Sequence, residues 1–183
     1  MDGRLLGRGQ LLPATLPAGR SQRLVELACG RGRDAAHILP RAGSGTLGDV
    51  TESTIAACRL RFPDQPQQRF IHNTGNDLPG IADASQTALF CYDALVHFEL
   101  LEVLAYLTEA RRILAPGGRA LLHLSNSMEN PEGNYRQNRH WRNFGSLDSA
   151  RHVDARVGLP VLEAKVIDWS GEPELVGQLL LEA

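Results

Sequence analysis

The chain has 183 residues, 43% of them hydrophobic and 22% charged, with a net charge of −2. That length and composition describe a single globular domain with a sizeable core and exclude a disordered or fibrous chain. The near-balanced charge excludes a general polyanion binder, so nucleic acid is not an expected partner.

Residues 1–22 mix glycine and proline with short apolar pieces and read as an N-terminal arm, leaving residues 23–183 as the domain proper. From Arg23 the pattern becomes regular. R-L-V-E-L-A is a short buried strand that runs into a glycine-punctuated turn at Gly30 and Gly32. A short helix follows, with Ala35, Ala36, Ile38 and Leu39 apolar, and Pro40 stops or kinks it. Gly43 to Gly45 form a turn, and Gly45 to Val50 a second strand. Thr51 or Ser53 caps the next helix, where Ile55, Cys58 and Phe62 fall at helical spacing, and Pro63 closes it. A glutamine-rich linker leads to a third strand, R-F-I-H-N, and the turn residues T-G-N-D-L-P-G. Ala88 to Tyr92 are a fourth strand, with room for a helix before it. Phe98 to Ala115 form the strongest helix, with Leu100, Leu104, Leu107 and Leu114 as its apolar stripe and P-G-G as its stop.

Arg119 to His123 are a fifth strand, followed by a polar loop, a helix over 148–158, and two final strands at 161–169 and 175–182 joined by S-G-E-P. This alternation predicts an α/β fold with a mostly parallel sheet and helices on both faces, whose ligands sit at the carboxyl ends of the strands. Cys29, Cys58 and Cys91 are odd in number and lack a C-x-x-C pair, so neither a disulfide framework nor a zinc site is expected, and no metal-ligand cluster stands out, which leaves metal dependence open. No run approaches the roughly 20 apolar residues of a membrane span. The N-terminus has no apolar block of the signal-peptide kind, so a cytoplasmic protein without a membrane partner is the expectation.

The turn after the first strand is the candidate site. Glycines there let a ligand approach the backbone, and the helix that follows presents free N–H groups. G-R-G-R-D-A satisfies G-x-G-x-x-A, with Asp49 closing the second strand about 20 residues on, as in dinucleotide sites. Glu26 points elsewhere. An acid inside the first strand, four residues before Gly30, has no task at a nicotinamide but suits a ligand bearing a cationic amino group. Both ligands remain open on the residues alone: an NAD(P)-dependent oxidoreductase and a protein that binds an amino-acid-bearing nucleotide.

The E-x-x-x-G-x-G segment resembles the first motif of the class I S-adenosylmethionine-dependent methyltransferases, in particular small bacterial ones, with Ala28 standing at that motif's first glycine. Other segments match in order: Asp49 in T-L-G-D-V, N-D-L-P after the third strand, R-R-I-L-A-P-G-G before the fifth, and the closing hairpin. Where the family often places an aspartate before the fourth strand, this chain has Gln86 and Thr87. The resemblance implies a doubly wound, seven-stranded, Rossmann-like sheet with a C-terminal antiparallel hairpin, and S-adenosylmethionine as cofactor. It implies Glu26, Ala28, Cys29, Gly30 and Gly32 at the first turn, Asp49 and Val50 at the ribose, Asn76, Asp77 and Leu78 at the adenine, and Tyr92 at the mouth of the fourth strand. A binding protein that holds the same cofactor without catalysis is the remaining alternative.

Tyr92 to His97 follow the fourth strand, where the family puts substrate-contacting residues. If this segment turns helically, Asp93 and His97 are i, i+4 neighbours, and a carboxylate orienting an imidazole makes a general base near neutral pH. His123, at the end of the fifth strand, is the third catalytic candidate. The loop over 125–144 carries Asn126, Asn130, Tyr135, Arg136, Arg139, His140, Trp141 and Arg142 and reads as a lid. Its aromatic and polar groups suit a small hydroxylated acceptor such as a sugar, and its arginines a phosphate or carboxylate. Methyl transfer to an oxygen of that small molecule is the expected activity. The pattern leaves the oligomeric state open.

Overall fold

The computed structural model describes residues 19–63, 67–169 and 171–183. Residues 1–18 of the expected arm, residues 64–66 of the linker and Ser170 of the last turn lie outside the described residues. Seven strands form one sheet: β1 (Gly19–Leu27), β2 (Ala42–Asp49), β3 (Gln68–His72), β4 (Gln86–Cys91), β5 (Leu114–Ser125), β6 (Val161–Trp169) and β7 (Glu172–Glu182). Their order across the sheet is β3-β2-β1-β4-β5-β7-β6. Pairs β1–β2, β1–β4, β2–β3 and β4–β5 are parallel, and β7 runs against both β5 and β6. The chain walks outward from β1 to β3, returns to β4 beside β1, and walks outward the other way. The reversal leaves a crevice above the carboxyl ends of β1 and β4.

Side-chain alternation assigns the two faces. Val25, Leu27, Leu89, Cys91 and Leu122 point into the larger core with helices α3 (Leu100–Ile113) and α4 (Leu147–Val157). Leu24, Ala88, Phe90, Leu121 and Leu180 face the other way and meet Ile38 of α1 (Ala35–Ile38). Beside them, Ile55 and Cys58 of α2 (Glu52–Arg61) pack with Cys29, Ala35, Leu39 and Leu47. Each fully buried leucine contributes about 1.5–3 kcal/mol, so both layers hold the sheet firmly.

Several boundaries differ from the sequence reading. β2 begins at Ala42 and absorbs Gly43 to Gly45, expected as a turn. Gly45 is glycine because Leu39 lies on the sheet there: a Cβ would stand 2.1 Å from Leu39 Cδ2. β5 likewise absorbs the P-G-G expected to stop the preceding helix. Its pairing with β4 jumps from Gln86↔Leu114 to Ala88↔Arg119, which is a bulge, and the Gly117 N–H donates to the Ala183 carbonyl at 2.8 Å. Of the apolar stripe expected for α3, Leu107 is buried, as is Leu114, the first residue of β5, while Leu100 and Leu104 are exposed; Val103, Tyr106, Ala110 and Ile113 complete the buried face. Glu99 caps this helix reciprocally with Glu102.

No helix stands between β3 and β4 among the described residues; residues 73–85 are held by side chains of α3 instead. Arg112 donates to the carbonyls of Leu78 and Ile81 at 3.2 and 2.7 Å and to Asp83 Oδ1 at 2.8 Å. Glu109 accepts the Leu78 N–H at 2.8 Å and pairs with Arg112 at 2.7 Å. Thr87, where the resemblance led to expect an aspartate, takes the Arg23 N–H at 2.9 Å and donates to Gln22 Oε1 at 2.7 Å.

Candidate active site

The crevice at the carboxyl ends of β1 and β4 has a cradle on one side and a cavity on the other. Glu26 lies one residue before the end of β1 and is 3% exposed, and its Oε2 has no hydrogen-bond partner. Burial raises its carboxyl to about 8, with nearby Asp34 adding to the rise and Arg33 opposing it. Beyond it the backbone turns through three left-handed residues: Ala28 (φ 53°), Gly30 (φ 55°) and Gly32 (φ 72°). Ala28 therefore stands where a glycine would be unstrained. A Cβ on Gly30 would meet nothing within 4 Å, so the cradle is open above it, whereas one on Gly32 would stand 2.5 Å from Phe62 Cε2.

Asp49 ties this turn to the next one. Its Oδ2 accepts the Gly30 N–H at 3.0 Å and its Oδ1 the Thr51 N–H at 2.9 Å. Each oxygen keeps a further lone pair for a diol. Cys29 contributes backbone at the turn, since its thiol is buried 4.0 Å from that of Cys58. Val50, beside Asp49, is half exposed and gives the cradle an apolar wall.

The residues expected at the adenine divide. Asp77 Oδ1 accepts both the N–H and the hydroxyl of Thr74 at 2.8 Å, and Asn76 Oδ1 accepts from the same hydroxyl at 2.8 Å. Asp77 thus closes the turn after β3. Leu78 is a core residue whose N–H and carbonyl both go to α3. The unexpected residue is Asn73. It is buried, its N–H donates to the Asp49 carbonyl at 3.1 Å, and neither its Oδ1 nor its Nδ2 has a partner. An amide with donor and acceptor both unmet, one residue past β3, is equipped to read a nucleoside. As the last letter of R-F-I-H-N it was indistinguishable from a strand residue.

On the other side, Asp93 follows β4 with φ 56°, and the short 3-10 turn begins only at Leu95. Asp93 and His97 therefore do not share a helical face, which corrects the pairing expected between them. The Asp93 N–H donates to His123 Nδ1 at 3.0 Å, and Asp93 Oδ1 accepts from Arg142 Nη2 at 3.4 Å. His97 Nδ1 contacts the Trp141 carbonyl. A carbonyl only accepts, so Nδ1 carries the hydrogen and Nε2 of the neutral ring keeps its lone pair.

His123 is sealed from solvent, stacked on Tyr92 at 4.3 Å and tilted against Trp169 at 5.1 Å. Its Nδ1 accepts from backbone, so the neutral ring carries its hydrogen on Nε2. Burial suits His123 to holding Asp93 rather than to meeting an acceptor. Tyr92 is part of the same stack, between Phe90 and His123. Asp93, His97, His140, Trp141, Arg142 and Trp169 line a cavity of about 390 Å³. Arg142 and Trp169 were not singled out by spacing: one is a loop arginine among several, the other the last residue of β6. Among the described residues no group of three or more His, Cys, Asp or Glu stands ready to hold a metal ion.

A family model described as a methyltransferase domain matches residues 24–118, more than half of the chain. No curated protein matches the sequence. Among solved structures, the chain is similar to geranyl diphosphate C-methyltransferase from Streptomyces coelicolor A3(2), solved with Mg2+, geranyl diphosphate and S-adenosyl-L-homocysteine. The identity is 16% and the TM-score 0.77, over 95% of this chain and 76% of that one. An S-adenosylmethionine-dependent methyltransferase from Mesorhizobium loti gives 13% identity and 0.73, over 95% and 94%. The cyclase SpnF gives 12% and 0.77, over 95% and 79%. At these identities the likeness is one of fold, and one fold serves different reactions. Of the two ligands left open by the glycine turn, the family match decides against the nicotinamide: the chain belongs to the class I methyltransferases and is an S-adenosylmethionine-dependent methyltransferase.

Proposed function

We propose that the protein methylates a hydroxyl of a small polar acceptor, a sugar or related metabolite, held in the cavity lined by His97 and Trp141. One observation carries this reading: His97 lines that cavity in the tautomer that leaves Nε2 basic. When bound, S-adenosylmethionine supplies a methyl carbon activated by its adjoining sulfonium. The residues of the cradle fit it. Glu26, with a buried oxygen unmet, takes the amino group, and the open backbone at Ala28, Cys29 and Gly30 receives the amino-acid portion. Asp49 takes the ribose hydroxyls, while Val50 and Asn73 flank the base.

At the acceptor side the chain's task is alignment and proton removal. His97 takes the hydroxyl proton at Nε2 while the Trp141 carbonyl holds Nδ1–H, and the imidazolium so formed keeps that contact. Asp93 lines the same cavity, its backbone fixed by His123 and its carboxylate by Arg142, and helps to orient the acceptor.

The test is transfer of labelled methyl groups from S-adenosylmethionine to a panel of hydroxylated metabolites, with wild type and His97→Gln. We expect a substrate methylated on oxygen and a fall in kcat of roughly 10²–10⁴ in the variant, the usual worth of a general base. S-adenosylhomocysteine affinity should be unchanged. Transfer only to carbon or nitrogen, or full turnover by His97→Gln, would refute the assignment.

A further inference from the structure

The cavity holds a buried charge whose hydrogen bonding its surroundings do not complete. Arg142 is 2% exposed, an uncommon state for an arginine. Its main chain is fixed: its N–H donates to the Arg139 carbonyl at 3.1 Å, and its carbonyl accepts from Asn138 Nδ2 at 2.9 Å. Its guanidinium lies over the Trp169 ring, 4.9 Å from the centroid. A guanidinium has five N–H donors. Nη2 reaches Asp93 Oδ1 only at 3.4 Å, at the limit of a hydrogen bond, and the buried Nε has no acceptor. Burial pulls the guanidinium below its ordinary value, with Asp93 pulling it back.

A buried cation with one long contact and an unmet donor is costly unless something else completes it. The two neighbours before it, His140 (φ 50°) and Trp141 (φ 55°), are both left-handed. Trp141 is 66% exposed while Arg142 is enclosed, so this backbone turn is what sends the charge inward. Uncommon backbone that persists at a cavity is a mark of function.

We propose that the acceptor is an anion: Arg142 binds a carboxylate or phosphate group of the substrate in the cavity and presents its hydroxyl to His97. This rests on the reading of the cavity as the acceptor site. The guanidinium fork matches either oxyanion, and Trp169 holds its plane in place. Asp93, sharing the guanidinium, sets the orientation of that fork and repels an anion placed out of register.

Both tryptophans of the chain, Trp141 and Trp169, line the cavity, so intrinsic fluorescence reports its occupancy without turnover. Protein saturated with S-adenosylhomocysteine is titrated with inorganic phosphate in one arm and acetate in the other, each against chloride at equal ionic strength. A saturable change with phosphate, acetate or both, and none with chloride, is expected, and the stronger arm names the group. Arg142→Lys should weaken that binding at least tenfold and Arg142→Gln abolish it, with S-adenosylhomocysteine affinity unchanged by calorimetry. Wild type responding to neither anion beyond chloride overturns the proposal even if the variants fail to fold, and so does a saturable response kept in folded Arg142→Gln. If the anion response stands while His97→Gln methylates normally, the anion site survives and the base assignment does not.

Discussion

At the scale of single residues, Glu26 is the most consequential. A carboxyl raised to about 8 is mostly neutral at pH 7, yet an ammonium ligand requires the carboxylate. Cofactor binding should therefore release a proton. Affinity for S-adenosylhomocysteine should rise with pH up to about 8 and level off above it, by roughly tenfold per pH unit at most. Calorimetry in buffers of different ionisation enthalpy reads the released proton directly. The same shift carries a stability cost of the opposite pH sense: the carboxyl binds its proton more tightly folded than unfolded, so stability falls as pH rises from about 4.5 to about 8. Glu26→Gln should lose roughly 10–100-fold in affinity, as for a lost hydrogen bond to a charge, and lose the pH dependence with it. A pH-independent affinity in the wild type would mean that Glu26 is already ionised. The sequence showed this residue because an acid breaks the apolar run of a strand. It could not show Asn73, which becomes unusual only when both ends of its amide are found unmet.

At the scale of elements, the turn after β3 is positioned by α3. Arg112 and Glu109 together satisfy backbone groups of Leu78 and Ile81 and the Asp83 carboxylate, doing the work that a helix between β3 and β4 would do. Arg112→Met keeps the stem packed but releases those carbonyls. Loss of about 1–3 kcal/mol is expected, measured by denaturant unfolding, because acceptors are left unmet and Glu109 loses its cation. Cofactor affinity should fall as well, since Asn73 and Val50 border the loosened segment. A variant as stable as wild type would show that solvent already satisfies those groups. None of this was legible in R-R-I-L-A-P-G-G, where nothing in the letters separates an arginine that reaches across to a neighbouring loop from one that faces solvent. The stripe of α3 was only half legible for a related reason. Leucines at 100 and 104 have the right spacing, but the sheet meets the helix about Tyr106 and Ala110, and only tertiary contact selects between adjoining faces. Glycine and proline misled at β2 and β5 because they mark bulges and close approach as well as turns.

At the scale of the molecule, the strand order β3-β2-β1-β4-β5-β7-β6 separates two tasks. Alternating apolar strands and helices made the sheet legible, and on our proposal the ordered motifs also made its first half legible as a cofactor cradle. In the second half, Asp93, His97 and the loop carrying His140, Trp141 and Arg142 are acceptor-side candidates in the sequence, but their closure into one cavity was not legible, because Trp169 joins them from the end of β6. Trp169 ends on the crevice side because β7 runs against both β5 and β6, so β6 points the same way as β5. It then supports Arg142 from beneath and closes on His123, itself stacked on Tyr92. This division makes a prediction that neither half makes alone. Trp169→Leu removes the ring under Arg142 while keeping an apolar side chain against Leu175 and Val176. Acceptor KM should rise about tenfold, the worth of a partly desolvated cation–π contact of about 1–2 kcal/mol. S-adenosylhomocysteine affinity should stay within about threefold of wild type, since Glu26 and Asp49 belong to the other half, and ΔΔG values at separate sites add. Steady-state kinetics and calorimetry on the same variant decide it: an equal loss in both would mean that cradle and cavity form one cooperative unit, with Tyr92 as the link between them.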